Sequence, residues 1–119
     1  MFKLIVTGKR KPGMSMDEFR QYYETRHAVL AQEITPRMRR YIRNYVTPVR
    51  GGSSAGAEPP FDCVTEVWFD SEEDLKRTSE SLSLEPQKTA AMNADIDNLF
   101  DRSSIWRFTS VQCESDIDP

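Results

Sequence analysis

Among 119 residues the chain carries one histidine, His27. An imidazole titrates near about pH 6.5, so it can both accept and deliver a proton at cellular pH. Two phenols precede it. Tyr23 is at helical i,i+4 spacing and therefore neighbours the ring, with Tyr22 one position earlier. Either phenol could orient the imidazole or donate to a substrate oxygen, or could simply pack a helix onto a sheet. His27 has two readings as well: a general acid/base, or a buried ring held by a backbone carbonyl or a tyrosine.

Further candidates lie downstream. Tyr41, Arg43 and Tyr45 alternate along an extended run and so share a face. Arg43 could hold a substrate carboxylate or remain an ordinary solvated charge. Glu66 falls on the face of Val64 and Trp68, where an ionised group is costly without a partner. It reads as an acid lining a cavity beside Trp68, or as one half of an ion pair with Arg107. Asp62, after Phe61, is a substrate contact or a loop cap.

Composition narrows the chemistry. Sixteen basic and nineteen acidic side chains leave a net charge of −3. The basic stripe expected of a nucleic-acid binder is missing, apart from the interrupted group Arg37, Arg39, Arg40 and Arg43. Cys63 and Cys113 with one histidine cannot build a four-ligand zinc site unless carboxylates complete it. There is no phosphate-cradling glycine loop, dinucleotide fingerprint or nucleophile elbow, and no cofactor is implied. A substrate without a cofactor must supply its own electron sink, such as a β-keto group or a phenol ring. The apolar run Leu4–Val6 is too short for a signal or a membrane span, which makes the cytoplasm the expected location.

The elements that must position these residues follow from periodicity and punctuation. Phe2–Thr7 reads as a strand, closed by Pro12 and Gly13. Ser15 and Glu18 form a capping box ahead of a helix from Met16 to about Ile34. Its stripe is Phe19, Tyr23, His27, Leu30 and Ile34. Arg40–Val46 is a second strand and Cys63–Phe69 a third, separated by a flexible loop over 47–60 that is rich in glycine and serine. Ser71 opens a second helix and Pro86 a third piece running to about Phe100. Ile105–Cys113 completes the strands, and residues 114–119 form a frayed tail.

The order β-α-β-β-α-β is the ferredoxin-like α+β arrangement in one domain over residues 1–119. Its helices cover one sheet face, yet Leu4–Val6 and Val67–Phe69 are apolar on both faces, which calls for burial on both. A chain this size buries only about two-thirds of its unfolded surface alone. Pairing of two copies through their bare sheets is therefore expected, with His27 bordering the apolar chamber so formed.

Several stretches resemble a known family. Lys3–Val6, Lys9–Gly13, Met16–Tyr23 and His27–Leu30 look like the opening of EthD-type proteins. Pro60–Ser71 resembles the family's third strand and second helix start, and Ala94–Asp101 the segment before its last strand. The resemblance implies a dimeric α+β barrel with helices outside an antiparallel sheet. It also implies relatives that act without cofactor on aromatic or polyketide-like compounds, including decarboxylases and dehydratases. Cyclases and an isomerase occupy similar barrels. By the same resemblance the family's helix histidine corresponds to His27, and its aspartate and glutamate to Asp62 and Glu66. The implied activity is that of a lyase, decarboxylation first, with protonated His27 delivering a proton to carbon, or dehydration or cyclisation with His27 as base; a cofactorless monooxygenase, an isomerase or a plain aromatic-ligand binder are the alternatives.

Overall fold

The computed structural model describes residues 1–49 and 58–119. Most of the 47–60 loop thus lies outside the described residues. Four strands, β1 (Phe2–Gly8), β2 (Arg40–Tyr45), β3 (Cys63–Phe69) and β4 (Trp106–Thr109), form one sheet in the order β2-β3-β1-β4. Every pairing is antiparallel. The chain therefore has the ferredoxin-like α+β fold that its element order predicts.

The first helix begins as its cap dictates. The Glu18 amide donates to Ser15 Oγ and the Ser15 amide to Glu18 Oε1, both at 3.1 Å. From there the helix is unbroken to Ile34 but not α throughout. It runs as α1 (Met16–Tyr22), a π-helical turn over Tyr23–His27, and α2 (Ala28–Ile34). At the exit of the wide turn the Ala28 amide donates to the Tyr23 carbonyl, five residues back. Two further helices follow β3: α3 (Glu72–Ser83), capped by Ser71 Oγ, and α4 (Pro86–Leu99), opened by its proline. No helix among the described residues is long and apolar enough to cross a membrane.

β4 is shorter than the expected Ile105–Cys113. Its pairing with β1 runs from Thr7↔Trp106 to Leu4↔Thr109 and stops there, although β1 itself extends to Phe2. Val111 is accordingly exposed, and residues 114–119 have no secondary structure.

The core lies between helices and sheet. Phe19 and Leu99 are fully buried, with Tyr23, Ala28, Cys63 and Phe100 around them. Phe19 meets Tyr23, Tyr45 and Phe100 edge-on at centroid distances of 5.9, 6.0 and 5.4 Å. Gly8 is required by this packing. A Cβ there would lie 2.9 Å from Phe100 Cδ1, closer than contact permits. Gly8→Ala is expected to cost about 1–3 kcal/mol by overpacking, read from urea denaturation.

Candidate active site

Alternation along the strands decides which residues can meet His27. On β3, Cys63 and Thr65 are buried beneath the helices, whereas Val64, Glu66 and Trp68 point to the helix-free face. On β2, Tyr41, Arg43 and Tyr45 stand opposite Val67, Thr65 and Cys63, and so share the helix-side face. His27 descends from the first helix onto that side. The structure packs Tyr23 on His27, with Tyr41 and Tyr45 against Tyr23, and puts Glu66 and Trp68 on the other face.

His27 is 6% exposed and sits edge-on between two rings, Tyr23 at 5.1 Å and Phe100 at 6.1 Å. Its Nδ1 lies 2.7 Å from Asp95 Oδ2 on α4. A carboxylate only accepts, so Nδ1 carries the hydrogen and Nε2 keeps its lone pair. Nε2 makes no hydrogen bond among the described residues. Burial pushes the imidazole below its ordinary value, and Asp95's hydrogen bond and charge oppose that shift without cancelling it. At neutral pH the ring is thus a neutral base with one free nitrogen.

Asp95 is shared. Its Oδ1 accepts from Tyr22 Oη at 2.6 Å, and the Asn98 amide donates to the same phenol at 3.3 Å. Accepting from the phenol's proton, Asp95 holds Tyr22 above its usual titration range. The π turn explains how Tyr22 and His27 reach one carboxylate. Five residues along an α-helix would separate them by about 140°. The wider turn reduces that angle, and such turns recur at functional sites.

A second chain of hydroxyls lies deeper. Tyr23 Oη and Thr65 Oγ1 are 2.7 Å apart, Cys63 Sγ is 3.5 Å from Thr65, and Tyr41 Oη donates to Tyr23 Oη at 3.5 Å. Burial pushes the phenols of Tyr23 and Tyr41 up and the Cys63 thiol to about 11, which makes these groups poor acids.

The remaining candidates have other partners. Arg43 is not a solvated charge: it clamps Glu24 through Nε at 3.0 Å and Nη2 at 2.5 Å, and donates through Nη1 to the Tyr41 carbonyl. Tyr45 also bonds Glu24, whose charge, after burial, holds the phenol up. Asp62 accepts from the Arg10 amide at 2.9 Å and the Arg10 guanidinium at 3.1 Å, the bonding expected of a loop cap. Glu66 pairs with Lys3 at 3.2 Å and not with Arg107. The register Val6↔Arg107 puts that arginine on the other face from Glu66, which stands opposite Ile5.

The expected chamber needs the same correction. His27 cannot border a space between two bare sheet faces, because its own sheet lies between. Among the described residues, His27 lines neither of two surface grooves of about 430 and 560 Å³. Asp62 lines the larger, while Tyr41 and Arg43 line the smaller. Among the described residues no three His, Cys, Asp or Glu side chains are grouped to hold a metal ion.

Asp95, the hydrogen-bond partner of His27, is absent from the candidates drawn from the sequence. A signal existed: Met92, Asp95, Ile96 and Leu99 form the inward stripe of α4, so a carboxylate stands on an apolar face.

The EthD domain model matches residues 11–103, well over half of the chain. The chain belongs to the EthD domain family. The matched stretch contains the histidine helix, strands β2 and β3 and the helix bearing Asp95. Solved structures share its fold at low identity. An EthD family protein from Bacillus halodurans C-125 superposes with a TM-score of 0.64 at 17% identity, covering 95% of this chain and 100% of its own. The At3g17210 protein of Arabidopsis thaliana gives 0.60 at 13%, covering 98% and 100%. HapK from Hahella chejuensis gives 0.59 at 11%, covering 100% and 99%. No curated protein matches the sequence.

Proposed function

We propose that this EthD-domain protein is a cofactor-independent lyase for an aromatic or polyketide-type substrate, with His27 Nε2 transferring the proton. The 2.7 Å bond from His27 to Asp95 carries the reading, because it fixes the tautomer and leaves a free basic nitrogen in an apolar shell. A neutral imidazole favours chemistry that begins with proton removal. In dehydration of a β-hydroxy ketone, Nε2 takes the α-proton and the carbonyl holds the charge as an enolate. The imidazolium then returns that proton to the departing hydroxyl, water leaves, and the base is restored. Aldol-type cyclisation shares the first step. Decarboxylation requires the imidazolium at the outset, so it is supported less than the proton-abstraction reactions.

The test is a panel of β-hydroxy ketones and hydroxylated aromatic acids, with products weighed. Loss of water or carbon dioxide that depends on His27 supports the lyase. Isomerised product of unchanged mass, or oxygen consumption, replaces it with an isomerase or a cofactorless monooxygenase. Since His27 lines neither groove, a second reading, a non-catalytic aromatic-ligand protein, is favoured by ligand binding without any product.

The pH profile follows from the site. Protonating Nε2 removes the base, so kcat/KM should fall on the acid side, with its midpoint below the ordinary histidine value because burial lowers it. In Asp95→Asn the charge that opposes this shift is gone, so the midpoint should move lower still. An acid limb above about 6.5, or one unmoved in Asp95→Asn, contradicts the assignment.

The proposed working form is a cytoplasmic homodimer. Ile5, Ile42, Val64 and Trp68 share the helix-free face with Trp106 and Phe108, which are 68% and 43% exposed. The thiols of Cys63 and Cys113 are unpaired, which suits a reducing compartment. Sedimentation equilibrium giving a monomer mass would reject the dimer.

A further inference from the structure

We propose that Tyr22 is a positioning residue for the histidine base: its phenol fixes the Asp95 carboxylate against His27 and draws part of the charge away from that bond. The placement of three side chains around one carboxylate carries the inference. Tyr22 Oη donates to Asp95 Oδ1 at 2.6 Å, and His27 Nδ1 donates to Asp95 Oδ2 at 2.7 Å. Each carboxylate oxygen has its own donor, so the two bonds together fix the plane of the group. Asn98 Nδ2 donates to the phenol oxygen at 3.3 Å, and the single phenol proton goes to Asp95. That proton is not available to a substrate oxygen, the other role open to Tyr22 by residue type. Asp95 and Asn98 are three positions apart on α4, one turn of helix, and so meet the first helix together.

The surroundings make Asp95 the charge that matters to the ring. On its own turn His27 meets Tyr23, and after α4 it meets Phe100. The helical segments on either side of the turn bury Phe19, Ala28, Ala31 and Ile34, which carry no charge. Behind Tyr23 on the sheet lie Thr65, Tyr41 and Cys63, and burial keeps both phenols and the thiol uncharged at neutral pH. Glu24, within the turn, is clamped by Arg43 and Tyr45. Arg26, also within the turn, is near enough for its charge to favour the ionised form of Tyr22.

A carboxylate that accepts from a phenol gives up part of its charge to that bond, so it holds an imidazolium less firmly than one with a free oxygen. Tyr22 therefore acts in the same direction as burial and keeps the ring a neutral base. Asn98, by donating to the phenol, strengthens the phenol's own donation. The inference deepens the lyase reading and rests on His27 as its base, yet the ring can be titrated with no substrate present.

The chain has one histidine, so isotope-labelled histidine gives a single imidazole whose titration is followed by NMR across the acid range. In Tyr22→Phe the midpoint should move up from wild type, and in Asn98→Ala it should move the same way by less. The double variant Tyr22→Phe/Asp95→Asn should coincide with Asp95→Asn alone, because the phenol acts only through the carboxylate. On substrate, kcat of Tyr22→Phe should fall by about ten- to a hundredfold with KM within about twofold, the mark of a base held less well. A midpoint unmoved or lowered in Tyr22→Phe, or the same shift persisting beside Asp95→Asn, overturns the proposal. A raised KM at unchanged kcat does so too, since it marks a substrate contact. If Tyr22→Phe melts well below wild type, Asn98→Ala, at an exposed position, decides the question by the direction of its shift. Shifts of the expected sign with no product from any substrate keep the network and remove the lyase. His27-dependent turnover with the midpoint unmoved in Tyr22→Phe does the opposite.

Discussion

Replacing His27 with glutamine is expected to lower turnover by about a hundred- to ten-thousandfold while leaving the protein folded. Glutamine can still donate an amide hydrogen to Asp95, so the carboxylate is not stranded in the aromatic shell. What disappears is the basic nitrogen. That range corresponds to about 3–5 kcal/mol on the barrier, the scale of one general acid–base contribution. The measurement is kcat on whichever substrate the panel yields, beside far-UV circular dichroism and a thermal melt. A folded variant with full turnover would remove proton transfer from His27. It would leave the ring as a satisfied core side chain.

The largest stability effect should come from Phe19→Ala, at about 3–5 kcal/mol. Phe19 is fully buried and meets three other aromatic rings edge-on. Truncation removes apolar burial and leaves a void that neighbouring elements can close only in part. Domains of this kind have about 5–15 kcal/mol in all, so the variant should approach unfolding at room temperature. Urea denaturation measures it, and a loss under about 1 kcal/mol would mean that the core repacks. Because Tyr23 and Phe100 pack against both Phe19 and His27, the substitution should also loosen the imidazole. The pH profile of any residual activity should then move toward an ordinary histidine value.

The sequence pattern was sufficient for much of the frame. The capping box at Ser15 and Glu18, the proline at the start of α4 and the β-branched run of β3 are local signals, and each element begins where its signal stands. The end of β4 was not legible, because the point at which its pairing with β1 stops is a non-local property. Arg107 illustrates the same limit. As a partner for Glu66 it was plausible by residue type, but the register Val6↔Arg107 placed it on the opposite face.

For the site, residue types alone determined that one imidazole exists, and helical spacing determined that it faces the core with Phe19 and Tyr23. Alternation likewise put Tyr41, Arg43 and Tyr45 together. Only the tertiary structure decided which groups that imidazole meets. Asp95 lies 68 positions away in sequence. It meets Tyr22 and His27 because α4 packs beside a turn that widens at Tyr23–His27. Neither helix packing nor a π turn leaves a periodic trace in the chain, since both arise from how distant elements fill space against each other. The separation of Glu66 and Trp68 from His27 has the same origin. A sheet has two sides, and only the docked helices decide which of them becomes the inside.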